Sequence, residues 1–356
     1  MPPPPSITQR PARHRRPAWV LGGLGLALLI ALALSLACGG RGCSAAGLWD
    51  ALQLDASGHG DAQALAREIV WRLRLPRAMT ALAVGGLLAL SGALLQVLLR
   101  NPLADPYVLG VSSGASLAAV AALWAGLSAG ALYASAWAGA AGSTLLLFLL
   151  GRHSLLALDL RAAGEGATRL LLSGVMLAAA WTALISLALT LAPDAQLRGM
   201  LFWLIGEISG AEPWAPALAG LALATALALA LAPALNLLLL GDARAQSLGV
   251  AVPRLRLAVS LLAAAATACA VATAGALGFV GLLVPHGLRR LLGNDQRLLL
   301  PAAALGGGTV VILGDLLARS LVAPTQLPVG AVMSVVGVPV FLWVLHHAGT
   351  AGGAHD

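Results

Sequence analysis

Eight stretches of this chain carry no charged residue, and they decide which solvent it can fold in. They cover Pro17–Gly40, Ala78–Leu99, Pro106–Gly151, Leu170–Pro193, Pro213–Gly241, Leu257–Leu288, Leu298–Gly314 and the chain from Ser320 onward, up to the terminal Asp356. A helix needs about 20 apolar residues to cross the hydrocarbon core of a bilayer, and most of these runs reach that length. A soluble domain carries about 25% charged residues, because its surface must hold water. Here the figure is 10%, against 59% hydrophobic residues. Aromatics are only 4%, while Ala, Leu and Gly dominate, which suits close helix packing rather than a β-barrel. The expected fold class is an all-α polytopic membrane protein.

The runs also predict the number of crossings. Pro106–Gly151, at 46 residues, accommodates two with a turn near Gly126–Gly130. Leu257–Leu288 is tight for two at 32 residues, but Arg254 and Arg256 precede it and Arg289, Arg290 and Arg297 follow it. Parity therefore asks for two, with Gly275, Gly278 and Gly281 supplying the break. Ten spans result, with both termini on one side. Residues 1–16, Pro-rich and holding four arginines, read as a disordered cytoplasmic tail. Residues 17–347 form a single transmembrane domain, and 348–356 a second cytoplasmic tail. The first apolar run is longer than the 7–15 residues of a signal-peptide core, so it is expected to remain as a span. Arg41–Arg77 is the one long polar segment and is placed outside the bilayer. Fourteen of the 21 arginines then lie on the side of the termini and seven opposite, five of these in that segment. This bias puts both termini in the cytoplasm, and the net charge of +7 reports topology rather than nucleic-acid binding.

All 21 basic residues are arginine. A P-loop requires its lysine, so no Walker A site is present, and any ATP must be hydrolysed by another subunit. Of the cysteines, Cys269 reads as a small packing residue, and Cys38 and Cys43 can pair only in an oxidising compartment. The fourteen acids avoid the centres of the runs, with Glu207 and Asp315 closest but near predicted ends. An ion-coupled carrier places a carboxylate near mid-bilayer. Little buried charge is therefore expected, and the chain reads as a passage without its own energy source. Composition leaves open a channel, a structural membrane subunit, or a permease driven from outside the bilayer.

The loops narrow this. Arg100-Asn101-Pro102-Leu103-Ala104-Asp105-Pro106 is a compact turn whose prolines stop helix continuation. Asp242 to Gly249 is a short amphipathic stretch that suits a linker or a groove in a soluble partner. Read with Arg74-Leu75-Pro76-Arg77, Ser91 to Gln96, Leu109 to Ala115, Gly278 to Arg289, Leu327-Pro328-Val329-Gly330 and Gly337 to Trp343, these segments resemble the FecCD/BtuC-like permeases of type II ABC importers. The matches keep family order from about Arg72 to Trp343.

The resemblance implies a BtuC-like domain of ten helices in a bacterial inner membrane, working as a homodimer with the passage at its interface. It implies two cytoplasmic ABC ATPase subunits, which use ATP and Mg, and a periplasmic or lipid-anchored substrate-binding protein. It implies that Arg74, Arg77 and Arg319 dock that protein through its carboxylates, a role suited to the planar guanidinium fork. It further implies that Asn101 and Leu103 narrow the cytoplasmic gate. Asp242, Ala243, Arg244, Ser247, Leu248 and Gly249 would form the coupling segment seated in the ATPase. No catalytic residue, bound cofactor or resident metal is implied, and His286 is given no chemistry. Alternating access would carry an iron-siderophore, haem or cobalamin, with an iron chelate favoured.

Overall fold

A computed structural model describes residues 16–39, 42–43, 61–155, 162–208 and 214–350. Most of the two expected tails, and residues 41 and 44–60 of the long polar segment, lie outside the described residues. The chain is helical almost throughout, because hydrocarbon offers no partner for a backbone amide and a helix satisfies its own. In order come α1 (Arg16–Ala37), a two-stranded hairpin of β1 (Cys38–Gly39) and β2 (Gly42–Cys43), α2 (Asp61–Glu68), a π turn (Ile69–Arg74) and α3 (Leu75–Leu98). A 3-10 turn (Pro106–Leu109) leads into α4 (Val111–Trp124), α5 (Ala129–Leu155), α6 (Ala162–Leu191), α7 (Asp194–Ile205) and α8 (Trp214–Leu238). The short α9 (Asp242–Ser247) precedes α10 (Val252–Ala274), α11 (Val280–Leu292), α12 (Gln296–Ser320) and α13 (Val329–Thr350).

Among the described residues, seven segments are long and apolar enough to cross a membrane: α1, the π turn with α3, α5, α6, α8, α10 and α12. Two further apolar helical stretches are shorter, Val111–Trp124 and Val329–Trp343. The expected turn near Gly126–Gly130 lies at residues 125–128, and the expected break after α10 lies at 275–279. One boundary is corrected. The run ending at Gly314 does not end a helix there, because α12 continues through Asp315 and Arg319 to Ser320.

The helices sort into an inner and an outer set. In the most apolar window of the span containing α3, 94% of residues are buried; in α10 and α12 the shares are 78% and 72%, but in α1, α5, α6 and α8 they are 11–22%. The outer set presents its apolar side chains to lipid, so its surfaces need no polar face. At the centre, α3 packs against α8, α10, α11 and α12. Small residues permit this, since lipid tails remove the hydrophobic drive between helices and leave close packing to hold them. A Cβ on Gly85 would lie 2.2 Å from the carbonyl oxygen of Gly307, and one on Gly92 would lie 1.9 Å from that of Gly281. Backbone therefore touches backbone where α3 crosses α12 and α11. Two polar side chains of α3 reach neighbouring helices: the Ser91 hydroxyl donates to the Ala263 carbonyl of α10 at 2.8 Å, and the Gln96 amide to that of Leu282 in α11 at 3.2 Å.

Gly307→Ile should lower the thermal midpoint of the detergent-solubilised protein, because overpacking costs about 1–3 kcal/mol and the obstacle here is backbone. Gly142→Ile, where an added Cβ meets nothing within 4 Å, should leave it unchanged. Equal shifts in the two variants would contradict the assigned crossing.

Candidate functional site

The bundle presents a charged cluster at each end of α3. Near the N-terminal end, Pro76 follows the π turn that runs directly into α3, and Arg77 comes next. The Arg77 Nε donates to Asp315 Oδ1 at 2.8 Å, and its Nη1 donates to Gln326 Oε1 at 2.7 Å. Arg319, one turn after Asp315 on α12, brings its Nε within 3.0 Å of Asp315 Oδ2. The same guanidinium donates to Ser35 Oγ at 2.9 Å and to the Cys38 carbonyl at 3.3 Å. Arg74 donates to the Leu36 carbonyl at 2.6 Å. These carbonyls are the orphan acceptors at the end of α1, which a cation at a helix C-terminus also favours. Cys38 and Cys43 are joined in a disulfide that closes the hairpin beside them.

Two expectations change here. Asp315 is fully buried, so the acids do not all avoid the interior. Arg77 and Arg319 are each 6% exposed and engaged with Asp315, rather than standing open on a surface; Arg74 is only half-buried. A buried carboxylate is tolerated because two guanidiniums compensate it, and the i,i+4 spacing of Asp315 and Arg319 was the signal in the sequence. Three arginines gather around one carboxylate, which leaves this end electropositive.

At the other end, α3 stops at Leu98 and Arg100 takes a left-handed φ of 49°. Asn101 and Leu103 are both exposed. The Asn101 Oδ1 accepts from the Leu103 amide at 2.9 Å, an Asx turn that shapes the loop. Asp105 then caps the 3-10 turn through the Tyr107 amide at 2.8 Å, and the Tyr107 hydroxyl accepts from the Leu277 amide at 2.8 Å, in the break between α10 and α11. Beside this loop, α9 buries Ala245 alone and exposes Ala243, Arg244, Ser247, Leu248 and Gly249. It ends in a Schellman pattern: the Val250 amide bonds the Ala245 carbonyl, with Gly249 at φ 87°. Asp242 faces the body instead, bonded to Arg100 through Oδ1 and to Arg256 through Oδ2, the latter at 2.6 Å. Sequence alone singles out neither Arg100 nor Arg256, because their partner lies 142 and 14 residues away on another element. The structure thus brings Asn101, Leu103 and the α9 residues together at one end and Arg74, Arg77 and Arg319 at the other.

Asp315→Ala would leave Arg77 and Arg319 buried without their carboxylate, at a cost of about 3–5 kcal/mol. The expected result is a large fall in the thermal midpoint of the solubilised protein and a smaller one for Asp315→Asn. An unchanged midpoint for Asp315→Ala would remove the cluster from the forces holding α3 to α12.

The bundle thus carries a charged cluster at each end with apolar helices between them, and similarity to known proteins places it in a family. The model of the FecCD transport family matches residues 27–347. Vitamin B12 import system permease proteins BtuC of Salmonella paratyphi A and Salmonella typhi are each 37% identical over 341 residues, covering 94% of this chain and 97% of theirs. A solved metal-chelate type ABC transporter in an inward-facing conformation superposes with a TM-score of 0.80 at 33% identity, over 93% of this chain and 99% of its own. The chain belongs to the FecCD transport family.

Proposed function

We propose that this chain is the permease subunit of an ATP-binding-cassette importer that brings vitamin B12 or a closely related metal chelate into a bacterial cytoplasm. The likeness to vitamin B12 permeases over nearly the whole chain carries this reading. An iron-siderophore or haem, favoured from sequence, is the second reading, and the metal-chelate transporter of similar structure supports that wider class. Two copies of the chain form the passage, with both termini in the cytoplasm. Two ATPase subunits bind beneath, and a substrate-binding protein delivers cargo from outside.

The exposed residues of α9 suit a contact with the ATPase. Leu248 is 58% exposed at the tip of a short helix, an apolar anchor for a groove. The electropositive cluster suits the carboxylates of a binding protein. Arg74 supplies the reachable edge, and Arg77 and Arg319 set the potential behind it while holding α3, α12 and the end of α1 in register. Asn101 and Leu103, on the loop beside α9, narrow the passage at the cytoplasmic side. ATP binding draws the two ATPases together, and α9 carries that movement into the bundle. Binding energy can shift such an equilibrium only by the difference in contact between the two states, so the partners provide the drive and the apolar walls provide little affinity.

Reconstituted with its ATPase and binding protein, the complex should accumulate labelled cobalamin, and unlabelled ferric siderophore should not compete. Accumulation of an iron chelate in its place would establish the second reading. Leu248→Asp should weaken ATPase binding about tenfold or more, measured by co-purification. Arg74→Glu should lower the stimulation of ATP hydrolysis by the binding protein while the subunits remain assembled.

A further inference from the structure

The side-chain cluster around Asp242 joins α9 to the loop that holds Asn101 and Leu103. We propose that Arg100 is the positioning residue through which displacement of α9 reaches that loop, with the Asp242 carboxylate as the joint. This rests on the reading of α9 as the ATPase contact.

A six-residue helix is too short to hold its own shape or place, so its tethers decide where it sits. Those are the buried Ala245 and the two ion pairs of Asp242. Each carboxylate oxygen is taken by a different guanidinium: Oδ1 by Arg100, at the end of α3, and Oδ2 by Arg256, in the first turns of α10. Held from both sides, the carboxylate cannot swing aside when α9 is pushed. The Asp242 side chain is 12% exposed and that of Arg256 14%, against 44% for Arg100, so water screens the Arg256 half of the joint less than the Arg100 half. Arg100 also donates to the Leu238 carbonyl at 3.3 Å, which ties in the end of α8.

The backbone at Arg100 supports the same assignment. A φ of 49° is disfavoured for a residue with a Cβ, and such conformations persist where surrounding contacts over-determine them. Here the contacts are those to Asp242 and Leu238. The segment after Arg100 is stiff, with Pro102 and Pro106 and the turns set by Asn101 and Asp105. A rotation at Arg100 is therefore passed on to Leu103 rather than absorbed. The stiff segment ends at Tyr107, whose hydroxyl holds the α10–α11 break.

The test uses the complete transporter in proteoliposomes, with cargo moved per ATP hydrolysed as the readout and co-purification of the ATPase as the control. Arg100→Gln should retain the ATPase subunits but lower the transport ratio about tenfold. Arg100→Lys, which keeps a charge able to reach Asp242, should recover most of it, and Arg254→Gln, on an exposed face of α10, should not change it. Asp242→Asn combined with Arg100→Gln should lose no more than the worse single variant, because the two act as one joint. A wild-type ratio for Arg100→Gln, additive losses, or loss of the ATPase along with transport would each overturn the proposal. Retention of the ATPase by Leu248→Asp would instead overturn the reading of α9, and so separates the two failures.

Discussion

Inside a bilayer, no water is available to pair a backbone amide, a hydroxyl or a charge, and the architecture is a response to that shortage. It requires helices, because only they satisfy their own amides within one segment. It lets the outer helices be apolar on every side, since their solvent is hydrocarbon. It also removes hydrophobic association as the force between helices, which is why Gly85 meets Gly307 and Gly92 meets Gly281 at backbone distance. Of the hydroxyls and amides that enter the interior, Ser91 and Gln96 reach carbonyls on neighbouring helices.

The same shortage explains how the charges are arranged. Each end of the central helix carries an arginine bound to a carboxylate from another element: Arg77 to Asp315, and Arg100 to Asp242. In both cases a second arginine shares the carboxylate, Arg319 at one end and Arg256 at the other. At about 1.5 Å per residue, the helical rise from Arg77 to Arg100 is about 35 Å, enough to clear a hydrocarbon core of about 30 Å. α3 is thus anchored by ion pairs just where polar groups become tolerable again. It is also the helix most enclosed by its neighbours, so a displacement at either end meets a rod already tied to α8, α10, α11 and α12.

Much of this could be read from the chain. The uncharged runs located the crossings because the cost of a charge in hydrocarbon is large enough to override every local preference. Gly275 and its neighbours were readable as a break for a related reason: α10 and α11 share one uncharged run too long for a single crossing. Asp315 lies near a span end, as expected, but its burial was not foreseen. A rule that expels single charges does not anticipate a carboxylate compensated by Arg319 on its own helix and by Arg77, which lies 238 positions away. Nor does such a rule anticipate that Arg77 and Arg319 are themselves buried. The joint at Asp242 was invisible too, since Arg100 reads locally as the last residue before a turn. Local patterns report what each segment needs from its solvent; pairings between segments appear only once the helices are packed.

The pairings that escaped the sequence are those that connect the two ends to anything outside. An apolar conduit treats its open and closed states nearly alike, because hydrocarbon contacts are non-directional and survive small shifts of one helix past another. Charged joints do not: a guanidinium displaced from its carboxylate loses a specific partner, and in a partly buried site water does not fully replace it. A chain with few charges inside the bilayer thereby concentrates its mechanical stiffness at the few it keeps. Those sit at the ends, beside the exposed α9 and the electropositive rim of α1 and α12, where soluble partners have access. Force applied there enters the bundle through directional contacts and spreads through non-directional ones, so the permease can be moved as a unit.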